Sequence, residues 1–391
     1  MNFHYKKLLQ GRHIFTILTC LANMMCMLGK HSLRLAILPM KKEFNLTCEE
    51  VSHIKAGFSW GMSVTMVVGG PLSDIVGGKW LMFLVTLISG LCTAMVPIFS
   101  EVSFPLLVTS QVLYGLAGGL VVSALGSLIA RWEPLSERGG SATIIYSGSQ
   151  VSTLVSSLFM SYISYNQYDW RLVFYILGSL PLLWVLPWTT LVTDDPSRSR
   201  LTSEAERDLL AKESSLSRRP GLTEIPVRKI LTCGPVWAMI VANVGNNWAV
   251  TFTLLHLPAY FDEQIKLPLH YNSLVSALPY LGICVLGPLS SFVFSFLKKC
   301  GLSQTATRKL CSSICLFGFA LFSLPVPFIG SSSTIATVIL TSAAYAMTGG
   351  LEARYKKNSY LIYFLFQGLT WSGPGRHHWI LHPTLLAPSW A

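Results

Sequence analysis

The chain has 391 residues, of which 51% are hydrophobic and only 12% charged, and its mean hydropathy is +0.51. Soluble domains carry about 25% charged residues, so a water-soluble globule is excluded for most of this length. The net charge of +11 would suggest nucleic acid in a soluble protein. Here the basic residues lie between apolar runs, the pattern that orients membrane proteins, and no nucleic-acid partner is indicated.

Repeated apolar runs about 20 residues long predict a helical membrane protein, not a barrel of alternating strands. The expected fold is an all-α integral membrane bundle. Its spans are read at 13–38, 53–72, 80–99, 104–130, 141–164, 172–192, 235–260, 272–297, 310–329 and 333–350. The first run is read as a retained helix, because no small-residue cleavage site follows a short apolar core.

Between the second and third spans lies Gly69-Gly70-Pro71-Leu72-Ser73-Asp74-Ile75-Val76-Gly77-Gly78-Lys79. It reads as a short polar hinge with one acid and one base at one face of the bilayer. Spans three to five are rich in Gly, Ala and Ser, which favours close helix packing in lipid. After the sixth span comes the longest polar segment, a central loop. The expected domains are a six-helix bundle over 1–192, a cytoplasmic loop over 193–234, an incomplete four-helix bundle over 235–350 and a divergent tail over 351–391. Gly70-Pro71-Leu72-Ser73 recurs as Gly287-Pro288-Leu289-Ser290, each near the end of the second span of its half. Parallel repeats either side of a central loop are an organisation that transporters use.

With the N-terminus placed in the cytoplasm, most Lys and Arg fall on the inner side. The outer loops hold only Lys41, Lys42, Arg171 and Lys266. The sequon Asn45-Leu46-Thr47 then falls in the first outer loop, where Asn45 is a glycosylation candidate. The nine cysteines are scattered, with no disulfide framework and no metal spacing.

Lys30, Arg34 and Lys55 lie within or near apolar spans. Ionisable groups there are costly and face a cavity or a partner. Lys30 and Arg34, four residues apart, share a helix face. No acid lies deep in any span, so the three cations would attract an anion. The competing reading is that all three snorkel toward the interface. Asn246, in a polar run of the seventh span, and Gln111 and Tyr114 in the fourth are candidates to shape a substrate path, or to join helices. His256 reads as a packed or interfacial histidine. Asp74, Lys79, Arg131, Glu137 and Arg138 are candidate gating contacts on the inner side. No paired carboxylates, nucleophile elbow, metal motif or P-loop is present, so an enzyme is not expected.

The chain resembles the major facilitator anion carriers that include the sodium-phosphate, sialin, vesicular glutamate, vesicular nucleotide and plant phosphate transporters. The resemblance runs from about residue 12 to 350. It rests on the hinge, Leu35-Ala36-Ile37-Leu38-Pro39-Met40, Phe58-Ser59-Trp60-Gly61 and Arg131-Trp132-Glu133-Pro134 with Glu137-Arg138. Trp170-Arg171, Asn247-Trp248, Leu257-Pro258-Ala259-Tyr260-Phe261 and Leu274-Val275-Ser276-Ala277-Leu278-Pro279 extend it. The resemblance implies that Lys30 stands at a substrate-engaging arginine, Lys55 at a histidine of the glutamate carriers, and Gln111 and Asn246 at further arginines. Gly118 replaces an acid that resembles a coupling site, and Ile75 replaces the base after the hinge acid.

The expectation is therefore secondary transport of a small organic or inorganic anion by alternating access, without a cofactor. Coupling to sodium or to membrane potential stays open, as do the oligomeric state and the choice between plasma membrane and endomembrane or vesicle. The alternative is a non-transporting, truncated form of such a carrier. It is motivated by residues 351–391, which read as unrelated to the family and leave the second bundle two helices short.

Overall fold

The computed structural model describes residues 11–199 except 135–136, most of 202–210, 257–283 except 264, and 303–347 except 330–332, with isolated residues between. Six long helices come first: α1 (Gly11–Glu43), α2 (Cys48–Val76), α3 (Gly78–Val102), α4 (Phe104–Trp132), α5 (Arg138–Tyr165) and α6 (Arg171–Leu191). A hydrocarbon solvent leaves the backbone no partner but itself, so apolar runs of this length become helices. The described helices after 199 are shorter. A helical stretch over 257–263 precedes α7 (Leu269–Val275), α8 (Gln304–Ser323), α9 (Val326–Ile329) and α10 (Thr334–Met347).

Among the described residues, α1, α3, α4 and α6 are long and apolar enough to cross a membrane. The helices α2 and α5 are as long, at 29 and 28 residues, but more polar. Most of the expected seventh span, the Gly287–Ser290 repeat and the tail lie outside the described residues.

The hinge is much shorter than its polarity suggested. Helix α2 runs through Gly69, Gly70 and Pro71 to Val76, and α3 begins at Gly78. Only Gly77 breaks the helix, at φ +90, a conformation that L side chains rarely adopt. Gly69 and Gly78 instead lie against α4, at Ser123 and Ser127, and glycines elsewhere on α2 and α4 also serve packing. A Cβ on Gly61 would run into the Val112 carbonyl of α4, and one on Gly115 into the Phe58 carbonyl of α2. Small residues thus bring α2 and α4 together, while α1 packs on α5 and α3 on α4 and α6.

Two apolar cores stack along the bundle. One centres on Phe15, Leu81, Leu125, Trp132 and Trp188, the other on Leu28, Met40, Val96, Val173 and Phe174. The first lies toward the N-terminal end of α1, here the near rim. The second lies toward the Glu43 end, the far rim.

Candidate functional site: a cationic patch between two charged rims

Helix α1 is about 50 Å long at 1.5 Å per residue, which places Lys30 about 28 Å from its start and about 20 Å from its end. The Lys30 ammonium does not extend toward either rim. It lies 4.1 Å from the centroid of the Phe58 ring on α2, a cation–π contact. Phe58 meets Tyr114 of α4 edge-on, at 5.2 Å. The Tyr114 hydroxyl donates to the Cys26 carbonyl at 2.7 Å and accepts from the Lys30 amide at 3.1 Å. Lys30, Phe58 and Tyr114 therefore form one unit. In it Tyr114 uses its hydroxyl to brace α1 rather than offering it to a cavity.

Gln111 is 2% exposed. Its amide donates to Ser110 at a long 3.5 Å, and its Cβ faces Gly57 of α2, where an added Cβ would lie 3.2 Å away. It belongs to the α2–α4 seam. Arg34 lies one turn above Lys30, and its guanidinium reaches His31 Nδ1 at 3.5 Å. Among the described residues no carboxylate forms an ion pair with Lys30 or Arg34. Lys55, on the first turns of α2, lies within electrostatic reach of Arg34, Lys41 and Glu263. Asn246 lies outside the described residues. His31, buried at 7% exposure, has no counterpart among the sequence candidates; its position one turn before Arg34 was the available signal.

At the near rim, Arg12 Nη1 pairs with Glu137 at 3.1 Å and its Nε approaches Glu206 at 3.9 Å. Arg138 donates to the Ala130 and Glu133 carbonyls, at 2.6 and 2.9 Å, closing the last turn of α4. The Glu133 carboxyl accepts from Thr16 at 2.8 Å. Burial pushes its pKa up, partly offset by hydrogen bonds from Thr16 and Ser141. Lys79 donates to the Thr189 carbonyl at 2.8 Å, and its backbone N–H donates to Asp194 at 2.8 Å. Asp194 thus satisfies an orphan donor at the start of α3. Asp74 is half-buried at the end of α2 and also has an interaction. Arg131 Nε is buried without a hydrogen-bond partner among the described residues.

At the far rim, Arg171 joins Glu43 at 2.6 Å, Glu101 at 2.8 Å and Asp169 at 3.0 Å. Trp170 Nε1 adds a bond to Glu43 at 2.7 Å. Two further pairs leave the first six helices: Lys41 to Glu263 at 3.6 Å and Lys42 to Asp262 at 3.4 Å. The Ser161 hydroxyl of α5 donates to the His270 carbonyl of α7 at 2.8 Å. Asn45 is exposed between α1 and α2 at φ +50. Thr47, the third residue of its sequon, caps α2 reciprocally with Glu50.

Residues 19–368 match the family model described as the Major Facilitator Superfamily. The match passes Gly350, where the family resemblance had been expected to stop, and takes in the apolar run Tyr360–Phe366. An "Ascorbate transporter, chloroplastic" of Arabidopsis thaliana is 29% identical over 338 residues, covering 86% of this chain and 61% of that protein. "Sialin" of Homo sapiens is 30% identical over 303 residues, covering 77% and 60%. "Probable anion transporter 4, chloroplastic" of Oryza sativa subsp. japonica is 30% identical over 307 residues, covering 78% and 51%. The chain thus spans between 51% and 61% of the length of these curated relatives. A bacterial homologue of the human lysosomal transporter Spinster, solved inward-facing and unoccupied, aligns with TM-score 0.64 at 15% identity. The alignment covers 92% of this chain and 80% of that one.

Proposed function

Because this chain belongs to the Major Facilitator Superfamily, we propose that it is a multi-pass carrier that moves a small anion across a membrane by alternating access. The observation that carries the reading is the position of Lys30. A cation about 20 Å or more from either rim is costly in a membrane unless something answers its charge. Phe58 supplies part of that answer, and no described acid supplies the rest. A mobile anion does so in a carrier. Arg34, four residues on, adds a second positive group, and Lys55 stands between this patch and the far rim. Asn246 and Gln111 complete the proposed path, with Gln111 acting through the α2–α4 seam and Tyr114 holding Lys30 in place.

Residues 1–192 and 235–350 form the two moving bundles in this proposal, joined by the loop 193–234. The far rim is the outer side, with the N-terminus in the cytoplasm. Ion pairs from α1 to Asp262 and Glu263 hold that side closed. Near-rim residues Asp74, Lys79, Arg131, Glu137 and Arg138 border the opposite opening. The named substrates of relatives include ascorbate and phosphate, so an oxyanion is the proposed class, with a sodium gradient or membrane potential as the driving force.

The test is uptake into proteoliposomes of phosphate, ascorbate, urate, sialic acid, glutamate and nucleotides, under separate sodium, proton and potential gradients. At least one anion is expected to accumulate. Lys30→Ala is expected to cut its uptake about tenfold or more, equivalent to about 1.4 kcal/mol. Wild-type uptake by Lys30→Ala would remove the assigned role.

A further inference from the structure

His31 carries a buried polar atom that the helix bundle does not satisfy. The side chain is 7% exposed, and its Nε2 has no hydrogen-bond partner among the described residues. Its other nitrogen is engaged: Nδ1 lies 3.5 Å from Arg34 Nη1. A guanidinium only donates, so Nδ1 accepts, and the ring's single proton sits on Nε2. His31 is therefore a neutral N–H donor in a buried place without an acceptor, and such a group costs free energy until one arrives. On a helix with 100° between residues, Arg34 lies about 40° from Lys30 and about 60° from His31. The three donors thus occupy one continuous sector of α1, with the guanidinium in the middle.

We propose that His31 is a substrate-contact residue, a neutral Nε2–H donor to an oxygen of the transported oxyanion that Lys30 and Arg34 attract. The inference rests on the anion-carrier reading and adds to it. The two cations supply charge, and His31 supplies a directional bond that ranks oxyanions by where their acceptor oxygens lie. Phosphate offers acceptors in every direction, whereas a carboxylate or enolate offers them in one plane. An organic oxyanion is therefore expected to depend on His31 more steeply than phosphate does.

The experiment uses the full chain in proteoliposomes, with phosphate and ascorbate as parallel probes. His31→Leu removes the donor, His31→Gln keeps an amide N–H near the Nε2 position, and His31→Asn moves it toward Nδ1. His31→Leu and His31→Asn are expected to raise KM about tenfold for ascorbate and less for phosphate, with maximal rate within about twofold. His31→Gln is expected to restore KM to within about threefold of wild type. A merely packed histidine would lower protein yield or maximal rate and leave KM and the Gln–Asn difference unmoved, which overturns the proposal. If His31→Leu does not accumulate in the membrane, the Gln–Asn pair decides alone. Lys30→Ala run alongside separates the two failures. A raised KM in Lys30→Ala with none in the His31 variants removes only the role of His31. An unchanged KM in both removes the anion-site reading itself.

Discussion

The far and near rims are both ringed by charge, but their ion pairs connect different things. At the far rim, Lys41–Glu263 and Lys42–Asp262 join α1 to the helical stretch after residue 257, and Ser161 reaches α7. At the near rim, the described pairs stay within residues 11–210: Arg12 to Glu137 and Glu206, and Asp194 to the start of α3. A pair between two bodies can part when the bodies move; a pair within one body cannot do so without unfolding it. In the proposed mechanism, the far rim serves closure between bundles and the near rim the integrity of the first bundle.

Arg171 is the exception that tests this division, because it sits at the far rim yet among the described residues binds α1, α3 and the α5–α6 turn. Arg171→Ala is expected to destabilise the protein more than any change to the Lys41, Lys42 or Asp194 contacts. It would strip one guanidinium from three carboxylates, Glu43, Glu101 and Asp169, and leave them to repel one another. The side chain is only 21% exposed, so the cost lies between that of a surface and a buried pair, about 2–3 kcal/mol. Thermal unfolding of the detergent-purified chain measures it. A change below about 0.5 kcal/mol would mean the cluster does not brace the bundle.

Reversing Lys41 and Lys42 together to Glu should have the opposite profile. Both pairs are partly exposed, and such pairs contribute about 0.2–1 kcal/mol each, so unfolding should barely shift. The conformational effect should be larger, because four carboxylates would then face one another between the two proposed bundles. A Ser161→Cys reporter, covered at the His270 carbonyl when the rim is closed, is expected to label several-fold faster. Adding Asp262→Lys and Glu263→Lys should return labelling to its starting rate. Unchanged labelling in the reversed variant would remove these pairs from the closure.

Much of this was readable in the chain and part was not, for physical reasons. Apolar run length located α1, α3, α4 and α6, which are long and apolar enough to cross a membrane, while α2 and α5 also fall at expected spans but are more polar. Their ends were read short: α1 continues to Glu43 since Leu35–Met40 remains largely buried beyond the membrane-length window. Lys30 and Arg34 stood out because a charge in an apolar run is conspicuous at any distance from its partners. Asp194 and Glu263 did not, because each is an ordinary polar residue whose meaning lies in a contact more than a hundred positions away. Polarity made the 69–79 stretch look like a loop, whereas Gly69 packs α2 against α4 and Gly77 alone turns the chain. His31 was masked by the two cations beside it.

Asp194→Asn gives the smallest expected effect and the sharpest contrast with the far rim. The Asp194 carboxylate lies against Gly77, where even a Cβ would approach it to 2.8 Å, and accepts the Lys79 amide at 2.8 Å. It acts as a cap supplied from outside the helix, after α6, with the charge sign that a helix start favours. Asparagine keeps an acceptor oxygen but loses the charge, so the expected loss is about 0.3–1 kcal/mol, read by thermal unfolding and diminished by salt. Because α2, α3 and α6 belong to one body in the proposed mechanism, labelling of Ser161→Cys should not change. If Asp194→Asn opened the far rim as the Lys41 and Lys42 reversal does, the α2–α3 junction would move with closure rather than within one bundle. Gly77, with its left-handed backbone held against the Asp194 carboxylate, would then be a pivot, and the near rim would share the closing role assigned to the far one.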